Sequence, residues 1–255
     1  MRIVTWNVNS IRARMPRVIE FLERTSPDIV CLQETKVVDE LFPEGPLAEL
    51  GYNVAFHGQK TYNGVAILAK QPIEDVHCGF GDALYDQEAR VIAATVGDIM
   101  VLNLYVVNGK EVGHEKFHHK LGWMDCCAQY VDEHFPRNEK VVVTGDFNVT
   151  FDERDMYDPE KWEGKIHCSE PERAAMAKLT DLGLKDALRE FTDEAGIYTW
   201  WDFRTRGFQG DRGLRIDHFL ISEPMLEVST GVTVDLEARG GEKPSDHAPV
   251  ILETK

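Results

Sequence analysis

The clearest strand of the chain, and the polar turn that ends it, lie in KVVVTGDFNV, residues 140–149. Its first half is a Val-rich run that stops at Gly145, and Asp146 and Asn148 follow two residues apart. A short run of this composition with a turn-forming end is typical of a strand, here residues 140–145. A carboxylate at the end of a buried strand has to be paired or metal-bound, because an isolated buried charge is unfavourable. We therefore expect Asp146 to belong to a polar site at one edge of a sheet.

Similar apolar runs recur along the whole chain, each rich in Val and Ile and bounded by Gly, Pro, Asn or Asp. They predict strands at residues 2–8, 28–33, 64–69, 90–96, 99–107, 140–145, 216–221 and 248–253. Helical periodicity predicts helices at 12–24, 114–134 and 170–182, the last with Ser169 and Glu172 as a capping box. Several strands follow one another without a helix between them. This order favours a mixed, largely antiparallel α/β sandwich over a doubly wound parallel sheet.

Polar residues also end four other predicted strands. They are Asn7 and Asn9 at the end of the first strand, which project to the same side if the strand continues that far, Glu34 after Gln33 in DIVCLQETK, Asp217 in RIDHFLIS, and Asp246 and His247 just before the last strand. Each motif is weak alone, since a turn of this kind is more often stabilised by local hydrogen bonds. Together they predict one site, because sites are commonly built where several strand ends converge. The ligands are carboxylates, amides and an imidazole without thiolates, a set that suits Mg²⁺ or Mn²⁺ rather than zinc.

This set of residues suits hydrolysis at a phosphate. A divalent cation would neutralise charge on the phosphoryl oxygens. A carboxylate such as Asp146 would align or deprotonate water, and a histidine or tyrosine would stabilise the crowded oxygens. The chain contains no GxSxG, GxxxxGK[ST] or GxGxxG motif. Direct attack by water is therefore favoured over a covalent intermediate.

Length, charge and cysteine usage set the broader limits. The chain has 255 residues and no linker-like tract, so we expect one domain over residues 1–255. Its net charge of -16 argues against a nucleic-acid ligand, but residues 201–215 hold Arg204, Arg206, Arg212 and Arg215, a basic loop that could meet phosphate. Five cysteines without a CxxC pair indicate neither a disulfide framework nor a zinc site. With no membrane-spanning run and no cationic, apolar leader, we expect a cytoplasmic protein.

The chain resembles the exonuclease III-like apurinic/apyrimidinic endonucleases of the endonuclease/exonuclease/phosphatase superfamily, and the resemblance spans nearly its whole length. Matching blocks are TWNVNSIRAR (5–14), DIVCLQETK (28–36), YNGVAIL (62–68), NLYVVNG (103–109), TGDFNV (144–149), TWWDFR (199–204), RGLRIDHFLIS (212–222) and KPSDHAPV (243–250). The stretch from 199 to 217 is the most specific of them and is similar to the bacterial enzymes. The resemblance implies a DNase I-like, four-layer α/β sandwich, with two mixed, largely antiparallel sheets face to face and helices outside. It also implies a metal-dependent phosphodiesterase of DNA base-excision repair. Such an enzyme cleaves 5′ to abasic sites and has 3′→5′ exonuclease and 3′-phosphatase activities.

The resemblance also implies roles for individual residues. Glu34 matches the principal metal ligand, with Asn7 and Asp246 beside it, Asn9 acting through water, and Asp146, Asn148 and His247 as further candidates. Asp146 matches the residue that activates water, Asn148 and Tyr105 match phosphate-contacting residues, and His247 would contact the phosphate with support from Asp217. Mg²⁺ is the implied cofactor, with Mn²⁺ able to replace it.

The implied substrate is double-stranded DNA with abasic sites, nicks or blocked 3′ ends, bound by a monomer without membrane attachment. The residues matched to substrate binding are Trp200, Leu214, Ile216, Asn108, Arg206 and Arg212. Trp200, Leu214 and Ile216 would form an apolar pocket for a flipped, baseless sugar, although ordinary core packing is the alternative for Ile216.

Two departures from the family pattern stand out: valine precedes Asn108 where many relatives have proline, and Asn9 stands where some have aspartate. Two rival interpretations remain at this point. One keeps the fold and changes the substrate to an inositol or sphingolipid phosphate, which the 199–216 block and Tyr105 disfavour. The other is an inactive nucleic-acid-binding relative, which should have lost site carboxylates that are all present here.

Overall fold

Two six-stranded sheets form the centre of the computed structural model, which describes all residues, 1–255. The first sheet contains, in spatial order, β11 (Ser229–Val234), β12 (Val250–Thr254), β1 (Arg2–Asn7), β2 (Ile29–Gln33), β4 (Val65–Ala69) and β3 (Asn53–His57). The second contains β5 (Ile73–Cys78), β6 (Val91–Val96), β7 (Ile99–Tyr105), β8 (Lys140–Asp146), β10 (Asp217–Ile221) and β9 (Lys185–Asp186). Each sheet has one parallel pair, β1 with β2 and β7 with β8, and the other neighbours are antiparallel. The predicted mixed, largely antiparallel arrangement is confirmed.

Eight helices flank the two sheets. They are α1 (Ile11–Thr25), α2 (Glu44–Glu49), α3 (Glu115–His134), α4 (Pro159–Trp162), α5 (Glu170–Asp181), α6 (Ala187–Phe191), α7 (Glu223–Val228) and α8 (Leu236–Arg239). None of them combines the length and the apolar composition that crossing a bilayer requires.

The alternation of side chains along the strands produces the four layers. In β1, Ile3 packs in the cluster between the two sheets, and its neighbour Val4 packs in the cluster under α1 and α2. In β8, Val142 likewise faces the other sheet, and Val141 and Val143 face α3 and α5. Successive residues of a strand point to opposite faces. A continuous Val/Ile run can therefore fill two cores at once, and the predicted four-layer sandwich is confirmed.

The eight predicted strands and the three predicted helices are all present, with ends that differ by about two residues or fewer. Ser169 and Glu172 form the expected capping box at the start of α5. The sequence patterns missed β3, β5, β9 and β11. β5 is largely exposed and β11 is mostly half-buried, and each has a register irregularity, so both lack the clean apolar run that marks a buried strand.

Candidate active site

The predicted polar residues meet where strands of both sheets end at the same edge of the sandwich. In the first sheet Asn7 pairs with Gln33, the last residue of β2, and Glu34 follows directly. In the second sheet Asp146 lies in register between Tyr105 on one side and Asp217 on the other. His247 joins them through a bridge to Trp200 just before β12 begins. The shared register of the strands therefore brings together residues that are far apart in the sequence.

Left-handed backbone conformations turn the chain away from the strands at this edge. Asn9, Glu34 and Asn148 have φ values of 46°, 53° and 52°. Asparagine adopts this conformation readily, but glutamate seldom does, so Glu34 carries local strain of a kind often found at functional sites. Gly145 is required for a different reason, since a Cβ there would lie 1.9 Å from the carbonyl oxygen of Leu104.

Asn7 connects the two sheets across the site. Its Nδ2 group donates to Glu34 Oε1 at 2.8 Å and to Asp146 Oδ2 at 2.9 Å. Its Oδ1 accepts from the backbone N–H of Asn9 at 3.0 Å, so the amide has one fixed orientation. Both carboxylates are held in place as acceptors. Asn7 and Asn9 would share one strand face only if the strand continued to Asn9, and β1 ends at Asn7. The left-handed turn at Asn9 brings the second amide to the site instead.

Lys36 and Asn9 extend this network to Asp246. The Lys36 ammonium lies 2.6 Å from Glu34 Oε2 and 2.6 Å from Asn9 Oδ1, and Asn9 Nδ2 donates to Asp246 Oδ1 at 2.9 Å. Burial favours a higher pKa for Glu34, but the charge of Lys36 and the hydrogen bonds from Asn7 and Lys36 outweigh burial and lower its pKa. Oxygen atoms of Glu34 and Asn9 thus already surround one positive charge.

His247 and Asp217 form a buried ion pair. His247 Nδ1 donates to Asp217 Oδ2 at 2.9 Å, and Thr199 Oγ1 donates to the same oxygen at 2.6 Å. Burial alone would lower the pKa of His247, but the carboxylates of Asp217 and Asp146 raise that pKa to about 10. The imidazole is therefore a cation at neutral pH, with Nε2 directed at Asp146 Oδ2 3.7 Å away.

Asp146 is a buried carboxylate at the point where these groups meet. Its Oδ1 accepts the backbone N–H of Asn148 at 2.9 Å. Burial, with a contribution from the Asp217 charge, raises the pKa of Asp146 to about 7, although His247 acts in the opposite direction. A carboxylate with a pKa near the working pH is well matched to accepting a proton from water.

Asp146, Asp217 and His247 also place ligand atoms within 4.8 Å of one another, close enough to hold a metal ion. However, His247 Nδ1 is already bonded to Asp217, and the protonated ring opposes a second cation. The oxygen atoms of Glu34, Asn7 and Asp246 fit a hard divalent cation better, and the Lys36 ammonium beside Glu34 and Asn9 supplies a positive charge in this cluster.

Asn148 is fixed by groups that lie on the helical side of the second sheet. Its Nδ2 donates to the carbonyl of Val106 at 3.0 Å, and its Oδ1 accepts from Asn108 Nδ2 at 3.2 Å. The Lys120 ammonium and His167 Nδ1 both contact the Asn148 carbonyl, at 2.8 Å and 2.6 Å. Asn148 therefore presents its side chain from a rigid turn.

Tyr105 lies half-buried at the end of β7, beside Asp146. The guanidinium of Arg90 covers its ring at 4.6 Å, and Arg90 Nη1 donates to its carbonyl at 3.2 Å. Burial, followed by the charge of Glu34, raises the pKa of Tyr105 well above its usual value, so the hydroxyl stays protonated and can donate to an anion. This is the position that the resemblance implied for a phosphate-contacting tyrosine.

The three residues matched to the sugar pocket lie beside this site. Leu214 and Ile216 are 0% and 2% exposed and pack with Met156 and Cys168. Trp200 lies half-buried over them and donates from Nε1 to Asp246 Oδ2 at 3.1 Å. Leu214 and Ile216 are thus core residues that also lie next to the site. Of the three, Trp200 is the one that reaches the surface of the site.

The basic loop of residues 201–215, called here the arginine loop, has fewer exposed arginines than the sequence suggested. Arg204, Arg206 and Arg212 are exposed, but Arg215 is buried between Asp155 and Asp186, with Nε 2.7 Å from Asp155 Oδ1. The prediction that Arg215 belongs to a basic surface loop is wrong. Asp155 lies in the neighbouring turn and pairs with it, which a local count of charges cannot reveal. Arg212 Nη2 donates to the carbonyl of Thr205 at 2.7 Å and so also braces the loop.

Sequence reasoning missed four groups that hold the site: Lys36, Lys120, His167 and Thr199. Lys120 carried a signal, since it lies on the apolar face of its helix, three residues after Phe117, and is buried against Glu172. Lys36 directly follows the LQET motif. His167 and Thr199 lie in loops without any distinctive pattern. His167 reaches the site with its ring 6.4 Å from Trp200, and burial, followed by the charge of Lys120, lowers its pKa to about 4.

Comparison with known proteins agrees with this geometry. The model of the endonuclease/exonuclease/phosphatase family matches residues 4–247. The chain belongs to this family. Its members are metal-dependent hydrolases, and the chain is an enzyme of the exodeoxyribonuclease III and AP endonuclease type.

Three relatives are similar over the full chain. Exodeoxyribonuclease III of Haemophilus influenzae is 36% identical, with 100% of each chain covered. The 3′-5′ exonuclease NExo from Neisseria meningitidis is 46% identical, with a TM-score of 0.97 and 100% of both chains covered; a D146N form, called a 3′ phosphatase, has been solved bound to a product DNA hairpin. An AP endonuclease from Archaeoglobus fulgidus is 36% identical, with a TM-score of 0.96 and coverage of 100% and 99%. The predicted family and DNase I-like fold are confirmed.

Proposed function

We propose that the chain is a Mg²⁺-dependent hydrolase of DNA base-excision repair. Its reactions are removal of 3′ phosphates, 3′→5′ exonuclease action and cleavage 5′ to abasic sites. The observation that carries this proposal is the convergence of Asp146, Asn7 and Glu34 with the His247–Asp217 pair at one edge of the sandwich. The named relatives, which process DNA, favour DNA over inositol or sphingolipid phosphates as the substrate.

Asp146 aligns a water molecule and accepts its proton. Two hydrogen bonds, from Asn7 Nδ2 and from the Asn148 backbone, fix both of its oxygens, so no reorganisation is needed when the water is deprotonated. The pKa of about 7 keeps a large fraction of Asp146 ionised at neutral pH while it remains basic enough to take a proton.

His247, Asn148 and Tyr105 stabilise the phosphate oxygens. Asp217 keeps His247 protonated and fixes the ring, so that its Nε2–H can donate to an anionic oxygen. The Asn148 amide and the Tyr105 hydroxyl add neutral donors. All three are already oriented by contacts within the protein, which is the condition for strong stabilisation of a charged transition state.

Glu34, Asn7 and Asp246 would hold the cation, and it would polarise a phosphoryl oxygen when bound. The ligand atoms support a hard divalent cation at this position, since Glu34, Asn7 and Asp246 would each coordinate it through oxygen. The Lys36 ammonium between Glu34 and Asn9 indicates that this cluster favours a positive charge. Mg²⁺ is the proposed ion because it binds through a few carboxylate and amide oxygens and keeps several waters.

Reactions at 3′ ends have the stronger support. Cleavage at an abasic site requires a sugar that leaves the base stack and enters a pocket. Leu214 and Ile216 are already packed, and Trp200 packs against them, so we expect a flipped sugar to enter only if the Trp200 ring moves. A terminal 3′ phosphate needs no such pocket. We therefore expect slower turnover on an abasic duplex than on a 3′-phosphate duplex.

Single-turnover time courses on three duplexes test the function: one with an abasic site, one with a nick and one with a 3′ phosphate, each with and without Mg²⁺. Metal-dependent release of phosphate and of nucleotides from 3′ ends is the expected result. Absence of hydrolysis on all three DNAs, with activity on an inositol phosphate, would overturn the proposal. Trp200→Ala should alter abasic-site cleavage more than 3′-phosphate removal, and equal effects would remove the pocket from the mechanism.

Compartment and oligomeric state remain predictions. Similarity to bacterial exodeoxyribonuclease III favours a cytoplasmic enzyme that acts on the nucleoid. Light scattering on the purified protein tests the expected monomer.

A further inference from the structure

A cavity of about 480 Å³ lies beside the active-site edge, between the arginine loop and the turn that precedes Asp246. Its walls include Phe203, Phe208, Arg206, Gln209, Arg239 and Pro244. No carboxylate lines it, although the chain has 44 Asp and Glu residues against 28 Lys and Arg. On so acidic a protein, a cavity with two arginines and no acid favours an anionic ligand.

Arg239, at the end of α8, occupies the inner wall of this cavity and is only 5% exposed. Its guanidinium carbon lies 4.6 Å from the ring centre of Phe208, 5.0 Å from that of Phe203 and 5.9 Å from that of Trp201. The aromatic rings stabilise the positive charge through cation–π contacts and hold the group in place. No carboxylate forms a salt bridge with it, in contrast to the buried Arg215.

The hydrogen-bonding capacity of Arg239 is almost unused. A guanidinium has five N–H donors. Here Nη2 donates to the carbonyl of Trp201 at a long 3.5 Å, and Nε is buried without any partner. A buried donor left without a partner is unfavourable. The buried Nε is closed to the cavity, but Nη1 has no hydrogen-bond partner and is not fully buried, so an anion in the cavity can accept from it.

The cavity is connected directly to the catalytic residues. Pro244 in its wall is two residues from Asp246, a span of roughly 7 Å at most. Trp201, whose carbonyl accepts from Arg239, donates its own N–H to the carbonyl of Asp246 at 3.0 Å. Because one strand of duplex DNA carries a phosphate about every 3.4 Å along the axis, a neighbour of the scissile phosphate falls within reach.

The geometry points to a second phosphate-binding site, in which Arg239 and Arg206 hold a backbone phosphate of the DNA near the scissile one. This inference rests on the proposed function and names residues that position the same substrate. Arg239 provides the buried, preformed fork, and Arg206 provides an exposed charge at the rim. Planar guanidinium groups match phosphate oxygens closely. The site therefore sets the register of the DNA across the active-site edge.

Binding of a 3′-phosphate duplex, measured by fluorescence anisotropy in EDTA over a range of salt, tests the site. Arg206→Ala should weaken binding about tenfold and reduce the salt slope by about one. Gln209→Glu adds an anion to the cavity wall and should weaken binding as well. Lys185→Ala, which removes an exposed positive charge beside Ile221, at the end of β10 opposite Asp217, is the control and should have little effect. Arg239→Lys keeps the charge and loses the fork; its thermal melting curve separates lost binding from lost folding.

Uncharged methylphosphonates, placed one at a time along the duplex, identify the phosphate. One position close to the 3′ end should weaken binding of the wild-type protein and have little further effect on Arg206→Ala, because two changes to one contact are not additive. Equal affinities and slopes for wild type, Arg206→Ala and Gln209→Glu would overturn the site, and so would full additivity at every phosphate. Hydrolysis of the same duplex by the wild-type protein, restored with Mg²⁺, tests the proposed function separately.

Discussion

Replacing Asp146 with asparagine tests the proposed mechanism most directly. Asparagine keeps the volume of the side chain and one oxygen, which can still accept the Asn148 backbone N–H at 2.9 Å. The new amide nitrogen faces Asn7 Nδ2, itself a donor 2.9 Å away, so one hydrogen bond is lost. Loss of one such bond costs about 0.5–1.5 kcal/mol of stability, and the fold should survive.

The effect on turnover should be much larger. Removal of a general base slows a reaction by about 10²–10⁴, which corresponds to roughly 3–5.5 kcal/mol at about 1.36 kcal/mol per tenfold. DNA binding should change little, because it depends mainly on phosphate contacts outside this carboxylate.

The measurement is single-turnover hydrolysis of a 3′-phosphate duplex by Asp146→Asn, beside a binding titration of the same variant. Asp98→Asn, an exposed carboxylate paired with Lys140 far from the site, is the control and should match the wild type. Turnover near the wild-type rate would remove Asp146 from the mechanism. Loss of binding together with turnover would give Asp146 a structural or metal-holding role instead.

Three further predictions follow from the same geometry. EDTA should abolish hydrolysis and Mg²⁺ or Mn²⁺ should restore it, with Glu34→Ala requiring a higher metal concentration; full activity in chelator would exclude a metal. Asp217→Asn removes the carboxylate that raises the pKa of His247 to about 10, so the alkaline limb of the pH–rate profile should move to lower pH. In the double variant with His247→Asn, the fold-loss in hydrolysis rate should be far smaller than the product of the two single fold-losses, and losses that multiply would show that the two residues act independently. Burial favours a higher pKa for Asp155, but the charge of Arg215 outweighs burial and lowers that pKa to about 2. The stabilisation from this pair is therefore complete above the unfolded pKa near 4 and is lost as pH falls through about 2. In urea titrations at pH 7, Asp155→Asn should lower the free energy of unfolding by about 3–5 kcal/mol, and an unchanged value would show that the pair does not stabilise the fold.

The sequence by itself determined the layers and the chemistry of the site. A continuous Val/Ile run such as 141–143 buries both faces of a strand, and the polar pair Asp146 and Asn148 can only follow where that strand ends. The residue types at five strand ends were enough to predict a hard-ligand phosphate site, because ligand preference depends on the donor atoms themselves.

Only the tertiary structure decided which of these groups meet, and what else joins them. His167 and Lys120 reach the Asn148 carbonyl from elements that local patterns treat as an ordinary loop and an ordinary helix. Arg215 and Arg239 are both buried arginines near one loop, yet the first pairs with two carboxylates and the second with three aromatic rings. Burial and pairing depend on contacts between residues distant in sequence. Local periodicity and composition carry no information on those contacts. The register of the strands in the sheets decides which distant residues become neighbours.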